Sequence, residues 1–262
     1  INGSKGVSWP VAIDPTITDT TLAPLQMGAW RRAATNDKNG YMTVRHAASA
    51  GYASDFDTRA GAGTVGSYVD HFRTMVSFAL PGGSSAVGID TCYMIYKVRT
   101  ANTTPGVVDS FAFVQGTWTG LPDSTKWDLF TGFSSDTTTQ AFNVVEYAPA
   151  DFTTGNATPT STARTDTAFF NATGKSAVLS KMQAGDTLRL MIISVIDWKD
   201  QIDKAFDGQG PHQSMFYYGS TPSANYFVLK VVYNTGTVPD MSTIRDSARA
   251  AAVLVGRIDS TG

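Results

Sequence analysis

The stretch that most constrains this chain is Asp186-Thr187-Leu188-Arg189-Leu190-Met191-Ile192-Ile193-Ser194-Val195-Ile196-Asp197-Trp198, its longest apolar run, with Gly185 directly before it. β-Branched residues crowd it: Thr187, Ile192, Ile193, Val195 and Ile196. Such stiff side chains fit a pleated surface better than a helix. The first half alternates, with Leu188 and Leu190 on one face and Thr187 and Arg189 on the other. The second half is apolar on both faces, as in a strand covered from both sides. The run is read as the central strand of an antiparallel β-sandwich. A helix is the alternative, because short apolar runs are ambiguous in period.

The rest of the chain fits an all-β reading. At 262 residues it is long enough for one large β domain with extensions. Charged residues are only 16%, below the roughly 25% usual in soluble domains, so Ser, Thr, Gly and Asn supply the polarity. Such a surface suits extended contacts with other proteins or with sugars. The net charge of −2 implies no basic face and argues against nucleic acid as a partner. No run is long enough to span a bilayer as a helix. The single cysteine, Cys92, sits in an apolar stretch and is expected in the core, without a disulfide or a cysteine metal cluster. The chain begins at Ile1, which fits either removal of a leader or propeptide or trimming.

Three units are expected: an extended N-terminal arm over residues 1–25, a sandwich over 26–234, and a linker with a short helix over 235–262. Pro10, Pro15 and Pro24 keep the arm extended. Residues 25–32 and 41–46 are predicted to form a hairpin, with Asn39-Gly40 as a turn signal. Residues 47–66 read as a long surface loop. Strands are expected at Phe72 to Leu80, with Val76 and Phe78 inward, and at Ile89 to Arg99, with Cys92, Met94 and Tyr96 sharing a face. Further strands are expected at Val107 to Gln115, with Phe111 and Phe113 inward, at Phe142 to Tyr147, and at Asn225 to Tyr233. Residues 148–167 read as a Thr- and Pro-rich excursion, Ala172-Thr173-Gly174 as a turn, and residues 199–213 as a charged loop. Little helix is expected outside the tail, where Ile244, Ala248, Val255 and Ile258 fall near helical spacing.

Several of these segments resemble a known pattern. Phe72-Arg73-Thr74-Met75-Val76-Ser77-Phe78-Ala79-Leu80-Pro81 resembles an R-x-x-L-x-F-D-L strand, and Val87-Gly88-Ile89-Asp90-Thr91-Cys92-Tyr93-Met94 an I-x-S-A-x-L strand. Trp127-Asp128-Leu129-Phe130 is similar to a Y-D-x-F segment. Ala184-Gly185-Asp186-Thr187-Leu188-Arg189-Leu190 and Ala224-Asn225-Tyr226-Phe227-Val228-Leu229-Lys230-Val231-Val232-Tyr233 are similar to late strands closing on P-x-L-x-V-x-Y, with Phe227 or Val228 where proline is usual. Residues 27–234 thus resemble the jelly-roll modules called DNRLRE-type, related to disaggregatase-like carbohydrate-binding domains. The resemblance implies a jelly roll and a non-catalytic module of surface and phage virion proteins.

The residues themselves hold few catalytic signals. His46, His71 and His212 are too far apart in sequence for a zinc pair, and no nucleophile elbow, phosphate loop or EF-hand pattern occurs. Asp197, Asp200, Asp203 and Asp207 cluster in one loop and could serve calcium, the one cofactor suggested; Lys199 and Lys204 among them favour ion pairing instead. Asp55 and Asp57 form a second acidic group. Trp118, Trp127, Trp198, Tyr217 and Tyr218 lie at or near loops and are the candidates for stacking on a glycan, against core or rim packing. The expectation is a non-enzymatic structural protein of a virion or extracellular surface assembly, with other copies of itself or other surface proteins as partners. The alternative is a carbohydrate-binding module.

Overall fold

The computed structural model describes residues 16–53, 58–82, 85–102, 110–151, 164–206, 212–216 and 227–235. Twelve strands form one continuous antiparallel ladder that folds over into two layers. One layer contains β1 (Thr16–Leu22), β12 (Phe227–Thr235), β6 (Ala86–Asn102) and β9 (Arg164–Phe169), paired in that order. The other contains β5 (Tyr68–Ala79), β10 (Thr187–Ser194), β7 (Ser110–Gln115) and β8 (Glu146–Asp151), also in that order. Along the free edge of β5 runs β2 (Gln26–Thr35), which also touches the short β3 (Tyr52–Ala53). Two more strands, β4 (Thr58–Val65) and β11 (His212–Phe216), join the layers by bridging β5 to β6.

Alternation along the strands places the core. Val76 and Phe78 of β5, Leu188, Leu190 and Ile192 of β10, and Phe111 and Phe113 of β7 face Cys92, Met94 and Tyr96 of β6 and Phe227, Leu229 and Val231 of β12. Period two sends the intervening residues Met75, Met191, Ile193, Ala112 and Val114 to the outer face of the same layer. That face is covered too, by Trp30, Trp118, Trp127, Phe130 and Phe142, so the molecule has a second core outside its sandwich. Gly28 and Gly116 admit the rings of Trp30 and Trp118 against the sheet. A Cβ at either glycine would lie 1.9 or 2.0 Å from its ring.

The expected central strand stands between β5 and β7, but it stops early. Residues 195–198 turn into α3 (Val195–Trp198), capped by Ser194, whose hydroxyl accepts from the Asp197 amide. The edge of β5 explains the turn. Its N-terminal half, to Phe72, pairs with β4, and its C-terminal half, from Thr74, pairs with β10. The two ladders part at Arg73, and α3 follows where β10 leaves.

Other expectations are corrected. Residues 41–46 are not a returning strand; 41–45 lie in α1 (Lys38–Arg45) and His46 is its C-cap. Asp37 caps it by accepting from the Gly40 amide, and Tyr41, Val44 and Arg45 are buried at helical spacing. Asn39-Gly40 is the first turn of that helix, and Gly40 is needed because a Cβ there would lie 2.0 Å from the Thr35 carbonyl oxygen. The expected 47–66 loop contains β3 and β4, and Ala60 and Ala62 of β4 are buried. Ala172-Thr173-Gly174 opens a helix, α2 (Ala172–Ala184), capped by Asn171 and ended by Gly185 at φ 64°. Its Val178 and Met182, one turn apart, close one end of the core between the layers. Strand β8 begins at Glu146 rather than Phe142, and β8 and β9 occupy the two ends of the expected excursion. A further turn of helix, α4 (Ile202–Ala205), interrupts the charged loop. In the expected arm, residues 16–22 are part of the sheet as β1, while residues 1–15 lie outside the described residues, as does the expected tail helix.

Candidate functional site

Where β4 and β10 diverge, a group of charged side chains is buried under the second core. Arg45, His71, Arg73 and Asp197 have no exposed surface, and His46 retains 5%. They come from α1, from β5 and from α3, elements distant in sequence. Arg73 grips the Asp197 carboxylate with both ends of its fork, Nε to Oδ2 at 2.7 Å and Nη2 to Oδ1 at 3.0 Å. It also donates to the carbonyls of Arg45 and Trp127. Its guanidinium carbon lies 4.4 Å from the Trp127 ring centre and 5.1 Å from that of Phe130, so aromatic faces supply the rest of its surroundings.

Arg45 has all its donors engaged. Nε donates to the Asp197 carbonyl at 2.6 Å, Nη1 to His46 Nε2 at 2.8 Å and the Thr139 carbonyl at 2.9 Å, and Nη2 to the carbonyls of Gln140 at 2.9 Å and Trp198 at 3.2 Å. The plane packs 4.1 Å from the centre of the Phe142 ring. Asp200 brings a second carboxylate within 3.8 Å of Nη1; its φ is 52°, a left-handed conformation that aspartate tolerates better than most residues. Tyr41 donates to the Ile196 carbonyl at 2.8 Å and lays its ring 4.7 Å from that of His71. Burial raises its phenol further above the ordinary range, helped by the Asp197 charge.

The electrostatics follow from these contacts. Burial opposes the charge on Asp197, but Arg73 and His71 beside it together outweigh burial and hold the carboxyl well below the usual range. His71 Nδ1 lies 3.4 Å from Asp197 Oδ1, yet neither ring nitrogen makes a hydrogen bond, and burial keeps the ring neutral by lowering its pKa. Two arginines thus face Asp197 and Asp200 in a closed, aromatic-walled space. Chemically this is a clasp. It ties α1, β5, α3 and residues 134–142 together through Arg45, Arg73 and Asp197, while both His71 ring nitrogens and Asp200 Oδ1 are buried without a hydrogen bond. Cys92, elsewhere in the core, is equally closed: burial pushes its thiol up to about 12.

The residues singled out in the sequence are scattered relative to this clasp. Trp118 and Trp127 are buried in the second core, at 1% and 0% exposure, and the face of Trp127 is taken by Arg73, so neither ring is free for a glycan. Trp198 is half-buried at the rim, with Lys199 Nζ 5.0 Å from its ring centre. Tyr217 and Tyr218 lie outside the described residues. The three of the four loop aspartates that lie among the described residues do not converge. Asp197 is locked by Arg73, Asp200 faces Arg45, Asp203 is exposed and pairs with Lys38 at 2.8 Å, and Asp207 lies outside the described residues, as do Asp55 and Asp57. Among the described residues no group of three or more His, Cys, Asp or Glu could hold a metal ion. Of the histidines, His46 follows the last residue of α1, His71 lies within β5, and His212 opens β11.

Sequence reasoning missed Arg45, His46, His71 and Arg73 as one group. One signal was present: His71 and Arg73 sit within the apolar run of β5, and charge inside such a strand requires a buried partner. No protein-family model matches the chain, and no curated protein matches it.

Proposed function

We propose that this chain is a non-catalytic structural protein of a surface assembly, such as a capsid decoration, fibre or tail component of a phage virion, with its sandwich wound as a jelly roll. The strand order carries the reading. The layers β1-β12-β6-β9 and β5-β10-β7-β8 set the first and last described strands side by side, and among these eight strands the chain crosses to the other sheet at every step except from β7 to β8. This order supports the jelly-roll reading, since jelly rolls, used in viral capsid and lectin domains, are built of eight strands in two sheets. The resemblance to DNRLRE-type modules points to the same winding. The step from fold to role is one of analogy, and the clasp adds to it from chemistry. Arg45, Arg73 and Asp197 are held by one another and by backbone carbonyls, which suits a part built to be rigid. Its partners are then other copies of itself or other proteins of the virion or extracellular surface.

Size in solution tests the proposal. Light scattering across a concentration series should find a stable high-order oligomer, or the chain should enter particles when combined with its assembly partners. A chain that stays monomeric, and that binds an immobilised glycan panel, would overturn the proposal in favour of a carbohydrate-binding module.

A further inference from the structure

We propose that His46 is an acid-released latch on residues 134–142, so that uptake of one proton at its Nε2 frees this strap and uncovers the aromatic cluster beneath it. The partners of His46 fix its protonation state. The Ser134 carbonyl, 2.7 Å from Nδ1, can only accept, so Nδ1 carries the ring proton. The Arg45 guanidinium, 2.8 Å from Nε2, can only donate, so Nε2 must be bare. A proton on Nε2 would aim an N–H at a guanidinium N–H and set two cations in contact. The Arg45–Nε2 hydrogen bond must then break, while Nδ1 keeps the Ser134 carbonyl, so the repelled ring draws Ser134 away from Arg45, which holds Thr139 and Gln140.

Among the described residues the strap is held by one hydrogen bond to His46, two to Arg45 beside it and one to Trp198. Ser134 is fastened to His46, Thr139 and Gln140 to Arg45, and the Phe142 amide to the Trp198 carbonyl at 3.0 Å. The Phe142 ring is wedged between the His46 ring at 5.3 Å and the Arg45 guanidinium. Residues 135–138 are exposed, so the strap has water on its outer side and can lift without disturbing the sandwich. Beneath it lie Phe130 and Phe133, both in ring contact with Phe142.

The charged groups around His46 act in both directions. Burial, Arg45 beside it at the end of α1 and Arg73 on β5 oppose a positive charge on the ring, while the Ser134 carbonyl and Asp197 on α3 favour it; the net effect lowers the histidine below its ordinary value. Asp136 on the strap is exposed, and the Thr138 amide and hydroxyl keep its carboxyl below the usual range, so it stays charged while a histidine titrates and attracts the protonated ring.

Amide hydrogen exchange on the whole protein between pH 7.5 and 5, corrected for the intrinsic rate, tests the latch. Protection of the Phe142 amide should fall by up to about tenfold per pH unit, the signature of opening coupled to one proton. The amides of Leu190 and Ile192 in β10 should keep theirs. In His46→Gln, which offers a donor and an acceptor but does not titrate, the acid dependence at Phe142 should vanish. If that variant fails to fold, the wild type suffices: the midpoint of the Phe142 change must coincide with the His46 titration followed by NMR. Loss of protection at Phe142 and β10 alike, an unchanged acid response in His46→Gln, or a midpoint in the carboxylate range would each overturn the proposal.

Discussion

The two faces of the layer that contains β5, β10 and β7 are buried by different means. The inner face meets β6 and β12 chiefly through uncharged, mostly apolar side chains, from Leu190 and Phe113 to Met94 and Leu229. The outer face is covered by irregular chain, and there the aromatic rings enclose two arginines and a carboxylate. The difference follows from what does the covering. A second sheet satisfies its own backbone in its ladder and brings only side chains to the contact. An irregular segment brings unpaired carbonyls, and buried carbonyls need donors. Arg45 and Arg73 supply them: Trp127, Thr139, Gln140 and Trp198 all present carbonyl oxygens to a guanidinium. Asp197 then balances the charge that these donors carry inward.

Breaking each face should therefore have a different signature, and the largest effect is expected at the clasp. Asp197→Ala leaves Arg73 buried without its counter-ion and should cost about 3–5 kcal/mol in denaturant unfolding. Adding Arg73→Met removes the stranded charge and should recover part of that loss, although the Trp127 and Arg45 carbonyls lose a donor. Leu190→Ala in the inner core should cost about 2–5 kcal/mol by transfer and cavity terms, with no second-site rescue of that kind. If the double variant is no more stable than Asp197→Ala alone, charge balance is not what distinguishes the two faces.

Acid should sharpen the contrast with a smaller effect. His46 and His71 both titrate below their ordinary value, chiefly through burial. Above about pH 6.5 they are neutral folded or unfolded, and their contribution is fully present. As pH falls below that, the unfolded chain takes up protons that the folded chain refuses. Stability should drop by up to about 1.4 kcal/mol per pH unit for each histidine, until the folded groups protonate. Asp197, depressed by Arg73, contributes loss only at much lower pH. Urea unfolding at pH 7.5, 6.5 and 5.5 reads the slope. A stability that rises toward pH 5.5 would mean that His71 is a charged partner of Asp197 rather than a neutral neighbour.

The inner face was legible in the sequence because alternation encodes it. The parity of Leu188 and Leu190, of Phe111 and Phe113, and of Cys92, Met94 and Tyr96 is the parity found in the core. The outer face was not, because its cover has no period. Nothing in residues 116–145 announces that they fold back over Met75 and Met191. Local signals misled where tertiary contacts outweighed them. Asn39-Gly40 reads as a hairpin turn, yet the Asp37 cap and the burial of Tyr41 and Val44 make it the start of a helix. Asp197 was grouped by spacing with Asp200, Asp203 and Asp207. The turn into α3 then carries Asp197 inward to Arg73, while Asp203 stays outside with Lys38.

The smallest effect separates the helices that close the two faces. Ser194 caps α3 over the outer face, and Asn171 caps α2 over one end of the inner core. Each side chain accepts from one amide of its first turn, Asp197 at 3.2 Å and Gly174 at 2.9 Å, so replacement by alanine should cost about 1 kcal/mol in either case. The consequences should differ in kind. The amide that Ser194 holds belongs to the residue whose carboxylate locks Arg73, so a looser turn at 194 displaces the charge on which the outer face depends. Asn171 holds no charged group; its other contact is to the Glu146 carbonyl. Ser194→Ala should therefore alter the pH dependence of unfolding as well as the midpoint, and Asn171→Ala should lower the midpoint and leave the pH slope as it was. Equal pH slopes in the two variants would show that Asp197 is placed by its arginines alone and that the cap has no part in positioning it.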